Sequence, residues 1–399
     1  MAPGALRHRP RAAVLLTGAA ALLVYAGLAL GSGLDRMSAG QPSLAPRVPD
    51  LFASEALRAM GAQALGRGDA AAALRIGQQA LRDAPTDPQS AALFGAGNLA
   101  SGNAAVADRA FRIAGQLGWR VPITQNYWMS RALSQSDYPV AALRLDALLR
   151  QQPALLNERV LTDPMERNPA GRAALIGRMR LNPSWLPLYT KDVYRAPADV
   201  MLQRATVLTD AARSGLVLGC DAMVPTIDHL YELNLMPDAA IVWRAHCPAA
   251  GPGPVSDPAF ALLDLERRYG MLSWQTVGNE GTTLGIEQVP GSGARRLTIE
   301  GGPATGKKLF LRQYLVAAPG PYVLRWQALD RAGKPVAAIV PAVNCAGTPN
   351  VWLEPQPGPV AGSWQAAITV TACPLQELAF AATPGLSDAM LQQITLTPR

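Results

Sequence analysis

A short pattern recurs at a constant step in this 399-residue chain, and that recurrence constrains the fold more than any other feature. Leu65-Gly66-Arg67-Gly68-Asp69 returns as Leu99-Ala100-Ser101-Gly102-Asn103 and again as Leu133-Ser134-Gln135-Ser136-Asp137, 34 residues apart both times. A period of this size marks a supersecondary unit that hides its apolar face only by stacking on its neighbours.

Positions away from the turn follow the same step. Gly61 and Gly95 hold the small site where the two helices of a unit approach, with Met129 departing from it. Ala73, Ala107 and Ala141 share one site on the second helix, and Gly77, Phe111 and Leu145 share the next-turn site. Pro85 and Pro153 follow their helices, and Trp119 takes that place in the middle repeat. On these residues the chain resembles the tetratricopeptide-repeat family over roughly 51–153. The resemblance implies helix-turn-helix units with a surface for protein contacts and no catalytic residue. Helical character continues without a clean period through 172–181 and 198–208, and ends in a hairpin of 226–234 and 238–245 joined around Met236-Pro237.

The stretch 12–31 carries no charge, and a helix of 20 residues spans the ~30 Å hydrocarbon layer of a bilayer. It reads as a transmembrane helix. Arg7, His8, Arg9 and Arg11 precede it, which places residues 1–11 in the cytoplasm and the rest outside, in a bacterial periplasm. Ala29-Leu30-Gly31 also suits a signal peptidase, so a cleaved leader is the rival reading; the length of the apolar run favours retention. Segment 32–50, with Pro42, Pro46 and Pro49, reads as a flexible linker.

Four cysteines fit that compartment. Cys220 with Cys247 and Cys345 with Cys373 is the expected pairing; the other two connectivities would staple separate domains together. The first bridge would clip the open ends of the last helical hairpin.

Between 248 and 258 glycine and proline accumulate, which marks a second linker. Beyond it the texture becomes short β runs, at 272–277, 283–289, 296–300, 309–317, 322–329, 337–343, 364–371, 378–382 and 392–397. The expected organisation is therefore multidomain: a transmembrane helix, an all-α tetratricopeptide-like helical-repeat domain over 51–247, and an all-β sandwich over 259–399. The run Leu311-Arg312-Gln313-Tyr314-Leu315-Val316, the turn Pro319-Gly320-Pro321-Tyr322 leading to Trp326, and the closing Gln393-Ile394-Thr395-Leu396-Thr397 look like the galactose-binding-like jelly roll of carbohydrate-binding modules. That resemblance implies a sandwich that holds a glycan. Only Asp388 stands near the last strand, which leaves calcium binding without its usual acidic residues.

Such modules stack an indole on a pyranose ring. Of Trp274, Trp326, Trp352 and Trp364, the alternation of its strand puts Trp326 in the core. Trp352, before the turn-rich Pro355-Gln356-Pro357-Gly358-Pro359, is the first candidate for glycan stacking and Trp364 the second.

Other constellations dissolve on inspection. Gly301-Gly302-Pro303-Ala304-Thr305-Gly306-Lys307-Lys308 has lysine where a phosphate loop needs Ser or Thr, and it leads into a strand; a hairpin turn is expected. His229 and His246 have no companion ligands at metal spacing, so no metal and no cofactor are expected. No nucleophile elbow occurs and no carboxylate pair stands out, so the chain is expected not to be an enzyme. The net charge of +7 is scattered and almost all arginine, which argues against nucleic acid. The two modules together imply an adaptor for envelope proteins, and for polysaccharide, in exopolysaccharide or capsule synthesis or export; a purely structural envelope scaffold is the alternative.

Overall fold

In the computed structural model, residues 9–278, 281–291 and 294–399 are described, with side chains from residue 14 onward. The stretch carrying Arg7 and His8, and the side chains of Arg9 and Arg11, lie outside the described set, and with them the charge argument for orientation. The chain divides into two compact units, Met1–Gln152 and Pro153–Arg399.

The first unit opens with α1 (Arg9–Gly40), within whose stretch Val14–Gly40 an 18-residue window has a mean hydropathy of 2.1 and is almost wholly exposed. It is long and apolar enough to cross a membrane, a property shared by anchors and signal sequences. Six helices follow: α2 (Ser54–Gly66), α3 (Ala70–Asp83), α4 (Pro88–Ala100), α5 (Ala104–Leu117), α6 (Pro122–Ser134) and α7 (Tyr138–Gln151). Odd and even members start at the same 34-residue step seen in the sequence, so this part is a helical-repeat array. The recurring turn shows why its residues recur. Gly68, Gly102 and Ser136 all have positive φ, at 72°, 82° and 57°, while Asp69 and Asp137 accept a backbone N–H at the start of α3 and α7.

Packing between these helices depends on small residues. Ala73, Ala107 and Ala141 are fully buried. A Cβ on Gly77 would stand 2.8 Å from the Phe94 Cα, so α3 and α4 touch backbone to backbone there. In the middle repeat Phe111 fills the corresponding space and stacks on Tyr127, ring centroids 4.0 Å apart.

The tether expected at 32–50 is ordered instead. α1 continues to Gly40, and two 3-10 turns, Pro42–Arg47 and Asp50–Phe52, fold back on α2. Ala45, Val48 and Ala53 join the core with Leu57 and Leu93. Composition alone hid this, because the prolines that suggested a tether here shape 3-10 turns.

The second unit holds α8 (Arg159–Glu166), α9 (Pro169–Met179), α10 (Leu186–Lys191), α11 (Ala198–Arg213), α12 (Cys220–Glu232) and α13 (Met236–His246), then the β-sandwich. Helix α12 starts six residues before the expected 226 and carries Pro225 in its first turns. The Cys220–Cys247 disulfide joins the first residue of α12 to the residue after α13, and Cys345–Cys373 joins two points of the sandwich.

Among the described residues, ten strands form two antiparallel sheets. β1 (Gln275–Thr276), β4 (Lys308–Leu315), β9 (Gln376–Ala382) and β6 (Ile339–Cys345) make the smaller in the order β1-β4-β9-β6. The larger runs β2-β3-β10-β5-β8-β7, with β2 (Thr283–Gln288), β3 (Arg295–Glu300), β10 (Asp388–Pro398), β5 (Gly320–Leu329), β8 (Ser363–Val370) and β7 (Gln356–Pro357). Trp274, Trp326, Phe310 and Phe380 fill the space between them. The glycine-rich run from Gly301 crosses from β3 in one sheet to β4 in the other, so it is not the expected hairpin turn.

The linker expected at 248–258 is also corrected, since the unit has no break there. Val255, Ser256 and Asp257 are buried. The side-chain amide of Gln313 on β4 accepts from Ser256 N at 2.8 Å and donates to Ser256 O at 2.7 Å, while Trp243 on α13 donates to the Ser256 hydroxyl. Asp228 on α12 accepts from Met271 N at 2.9 Å. Helices α12 and α13 thus belong with the sandwich, and the compact units meet at residue 152 and not near 250.

Candidate functional site

Alternation along the strands sorts the larger sheet into two faces. On β5, Tyr322, Leu324, Trp326 and Ala328 are buried, and Val323, Arg325 and Gln327 point the other way. On β8, Ala366, Ile368 and Val370 are buried while Ala367 and Thr369 are exposed. The register then places Gln356, Gln365, Arg325 and Thr395 in one row across β7, β8, β5 and β10. A second row holds Ser363, Gln327 and Gln392.

This outer face is a polar strip. Gln392 Nε2 donates to Gln327 Oε1 at 2.5 Å, Arg325 donates to the Thr397 hydroxyl at 3.3 Å, and Gln365 donates to the Pro357 carbonyl at 3.2 Å. Arg325 Nε and Gln392 Oε1 are shielded from water without a partner. Among the described residues no carboxylate pairs with Arg325. The amides and the guanidinium of the strip offer both donors and acceptors to an incoming group.

The two indoles expected to stack on sugar sit differently. Trp364 pairs in register with Trp326, on the inner side of β8, and packs against the core with its Nε1 unpartnered. Trp352 is half-buried and its backbone bridges to Ala342 on β6. Its neighbours Val351 and Leu353 line an open cleft of about 530 Å³ with Asn344, Thr348, Thr369 and Thr371, beside the Cys345–Cys373 bridge. The cleft carries hydroxyls and an amide, and the strip carries amides and a guanidinium. The sequence reading missed the strip because its residues come from four strands and make no local motif.

His229 and His246 are structural. His229 contacts Glu232 at 3.0 Å and the Ala196 carbonyl at 2.9 Å. His246 accepts from Leu218 N through Nδ1 and donates to the Leu208 carbonyl, so burial, which pushes its pKa down, leaves it a neutral donor and acceptor. Among the described residues no group of three metal-ligating side chains occurs.

The helical unit has its own concave feature. Arg112 and Gln116 on α5, Trp119 in the connection, Thr124, Gln125 and Trp128 on α6, and Arg144 on α7 border a groove of about 370 Å³. Trp119 is exposed, as are Ile113, Leu117 and Ile123 close by in sequence. Arg112 pairs with Asp108 at 2.7 Å, whereas Arg144 donates to Gln125 Oε1 at 3.2 Å.

No family model matches the chain, and no curated protein does. Solved structures that it is similar to include the enzymatically active domain of tailspike protein 4 from bacteriophage CBA120, at 11% identity over 36% of this chain and 21% of that one, TM-score 0.26. This chain thus spans about a fifth of that domain. Others are TmCBM61 in complex with β-1,4-galactotriose, at 10% identity over 37% of this chain and all of that one, and a CBM4 structure, at 14% over 36% and 99%, both with TM-score 0.26.

Proposed function

We propose that the protein is a membrane-anchored, non-catalytic adaptor of a bacterial envelope: its tetratricopeptide-like repeats dock a protein partner, and its sandwich holds a glycan. The single observation that carries the glycan reading is the polar strip of Gln365, Arg325, Thr395, Gln327 and Gln392. Planar amides and a guanidinium match the paired hydroxyls of a sugar, which donate and accept at once. Trp352, bridged to β6 of the smaller sheet beside the Cys345–Cys373 cleft, is the indole left to offer a separate apolar flank, while Trp364 supports the strand from within. The protein partner binds over the groove around Trp119 and Trp128, where exposed aromatic and arginine side chains supply the residue types that dominate protein interfaces. The two disulfides suit an oxidising compartment, and we assign the bulk of the chain to the periplasm with α1 in the inner membrane. Exopolysaccharide or capsule synthesis or export is the setting that joins the two ligands.

The test is calorimetric titration of the full chain in lipid nanodiscs with the host's purified surface polysaccharide. Saturable binding that weakens at least tenfold in Arg325→Ala, with Trp352→Ala giving a smaller loss, supports the reading. The inward Trp364 favours a second reading, a scaffold without a sugar site; the absence of any saturable binding by the folded protein would select it.

A further inference from the structure

The region where α1 leaves its apolar stretch is built as a joint. α1 is a single unbroken helix to Gly40, nine residues beyond Gly31, or about 14 Å at 1.5 Å per residue. Gly31, Asp35 and Ser38 are its buried residues there, spaced to lie on one face. Each has a distinct role. A Cβ on Gly31 would overlap the Phe52 ring, so glycine is what lets the Asp50–Phe52 turn touch the helix. The Asp35 carboxylate accepts from Glu55 N at 3.1 Å and from Ala56 N at 2.9 Å, which caps α2 from a distance of 20 residues, since the residue before α2 makes no side-chain cap of its own. Ser38 donates to the Asp35 carbonyl at 2.6 Å.

This contact sets a height. If the uncharged stretch 12–31 fills the ~30 Å hydrocarbon layer, Gly31 lies at its outer border, and so does the Phe52 ring packed on it. The preceding residue, Leu51, is 84% exposed, the most exposed of the large apolar side chains among the described residues. A leucine so exposed on a turn at that level has lipid, not water, as its fitting neighbour. Arg36 and Arg47 are exposed on the adjoining α1 and 3-10 segments, with the charge that phospholipid head groups attract.

We infer that the Asp50–Phe52 turn is a second membrane contact, seated in the lipid interface, and that α1 is a rigid post fixing the height and orientation of the first repeat on the bilayer. This rests on reading α1 as a retained membrane helix. It goes beyond that reading by replacing a tethered, freely reorienting repeat unit with a docked one.

All four cysteines are bonded, so one added cysteine is a unique labelling site. In the full chain in liposomes, an environment-sensitive dye is placed at Leu51→Cys, at Leu22→Cys within α1, and at Ile113→Cys on an exposed face of α5. A phospholipid with a nitroxide near its glycerol end is expected to quench position 51 at least threefold more than position 113, and one with the nitroxide deep in its acyl chain is expected to quench position 22, which lies about 15 Å into the span. Gly31→Leu, which forces the Phe52 turn away, should bring position 51 down to the level of 113 while position 22 stays quenched. Position 51 behaving like 113 in the parent protein, with 22 quenched, overturns the seating and leaves the membrane helix standing. Position 22 unquenched overturns both. Unchanged quenching of 51 in Gly31→Leu would overturn the role of the joint.

Discussion

The repeat unit and the sandwich bury their cores by opposite means. In the repeats, alanine and glycine carry the contact: Ala56, Ala64, Ala73, Ala107, Ala114 and Ala141 are buried, and Gly77 brings two helix backbones together. In the sandwich, Trp274, Trp326, Phe310 and Phe380 span the gap between sheets, with Trp326 and Phe380 edge to face at 6.0 Å. Helices that share a small-residue seam pack near van der Waals distance, so any added atom is felt. Sheets stand about 10 Å apart, so the missing atom is felt instead.

The largest test of that contrast removes atoms from the sandwich. Trp326→Ala should destabilise the second unit by about 3–5 kcal/mol, read as a lower urea midpoint for its transition. A loss below about 1 kcal/mol would mean that the gap collapses without the indole, and the contrast would fail.

A second test uses pH. Asp257, buried in the loop under the sandwich, accepts from Ala261 N and Leu262 N, yet burial pushes its pKa up to about 6 from 3.8. The fold therefore favours the protonated carboxyl. The stability it contributes is present below about pH 4, falls as the pH rises towards about 6, and is level above, a change of about 3 kcal/mol. Asp257→Asn should flatten that part of the stability curve; an unchanged slope would assign the titration to another group.

Adding an atom is the complementary perturbation. Gly77→Ala puts a methyl group 2.8 Å from the Phe94 Cα and should cost the repeat unit about 1–3 kcal/mol in chemical denaturation. The smallest effect is of opposite sign: Gly66→Ala, at the end of α2 with nothing within 4 Å, should stabilise by roughly 0.5–1 kcal/mol. Equal effects at Gly77 and Gly66 would show that the seam is not a close contact.

The same contrast explains what could be read in advance. The repeat turn at Gly68, Gly102 and Ser136 was legible because left-handed backbone demands particular residues at fixed spacing. The disulfide pairing was legible as well, since two pairs 27 and 28 residues apart each join nearby chain. Trp326 was assigned to the core from alternation; the same alternation, in phase with Ala366, Ile368 and Val370 on β8, turns Trp364 inward, and its place just after Gly362-Ser363 hid that. The segments 32–50 and 248–258 were mistaken for linkers because a proline-rich sequence states only what the backbone cannot do; whether it then packs depends on partners such as Gln313 and Leu93, far away in the chain.

Local chemistry alone thus determined the apolar helix, the helical repeat, the β character of the last third and the cysteine pairs, since each rests on period, spacing or charge. The tertiary structure decided which polar residues meet on the sheet face and that Asp35 caps α2 from the end of the membrane-length helix. Those are long-range contacts, and their energies depend on strand register and on how far α1 extends before the chain folds back.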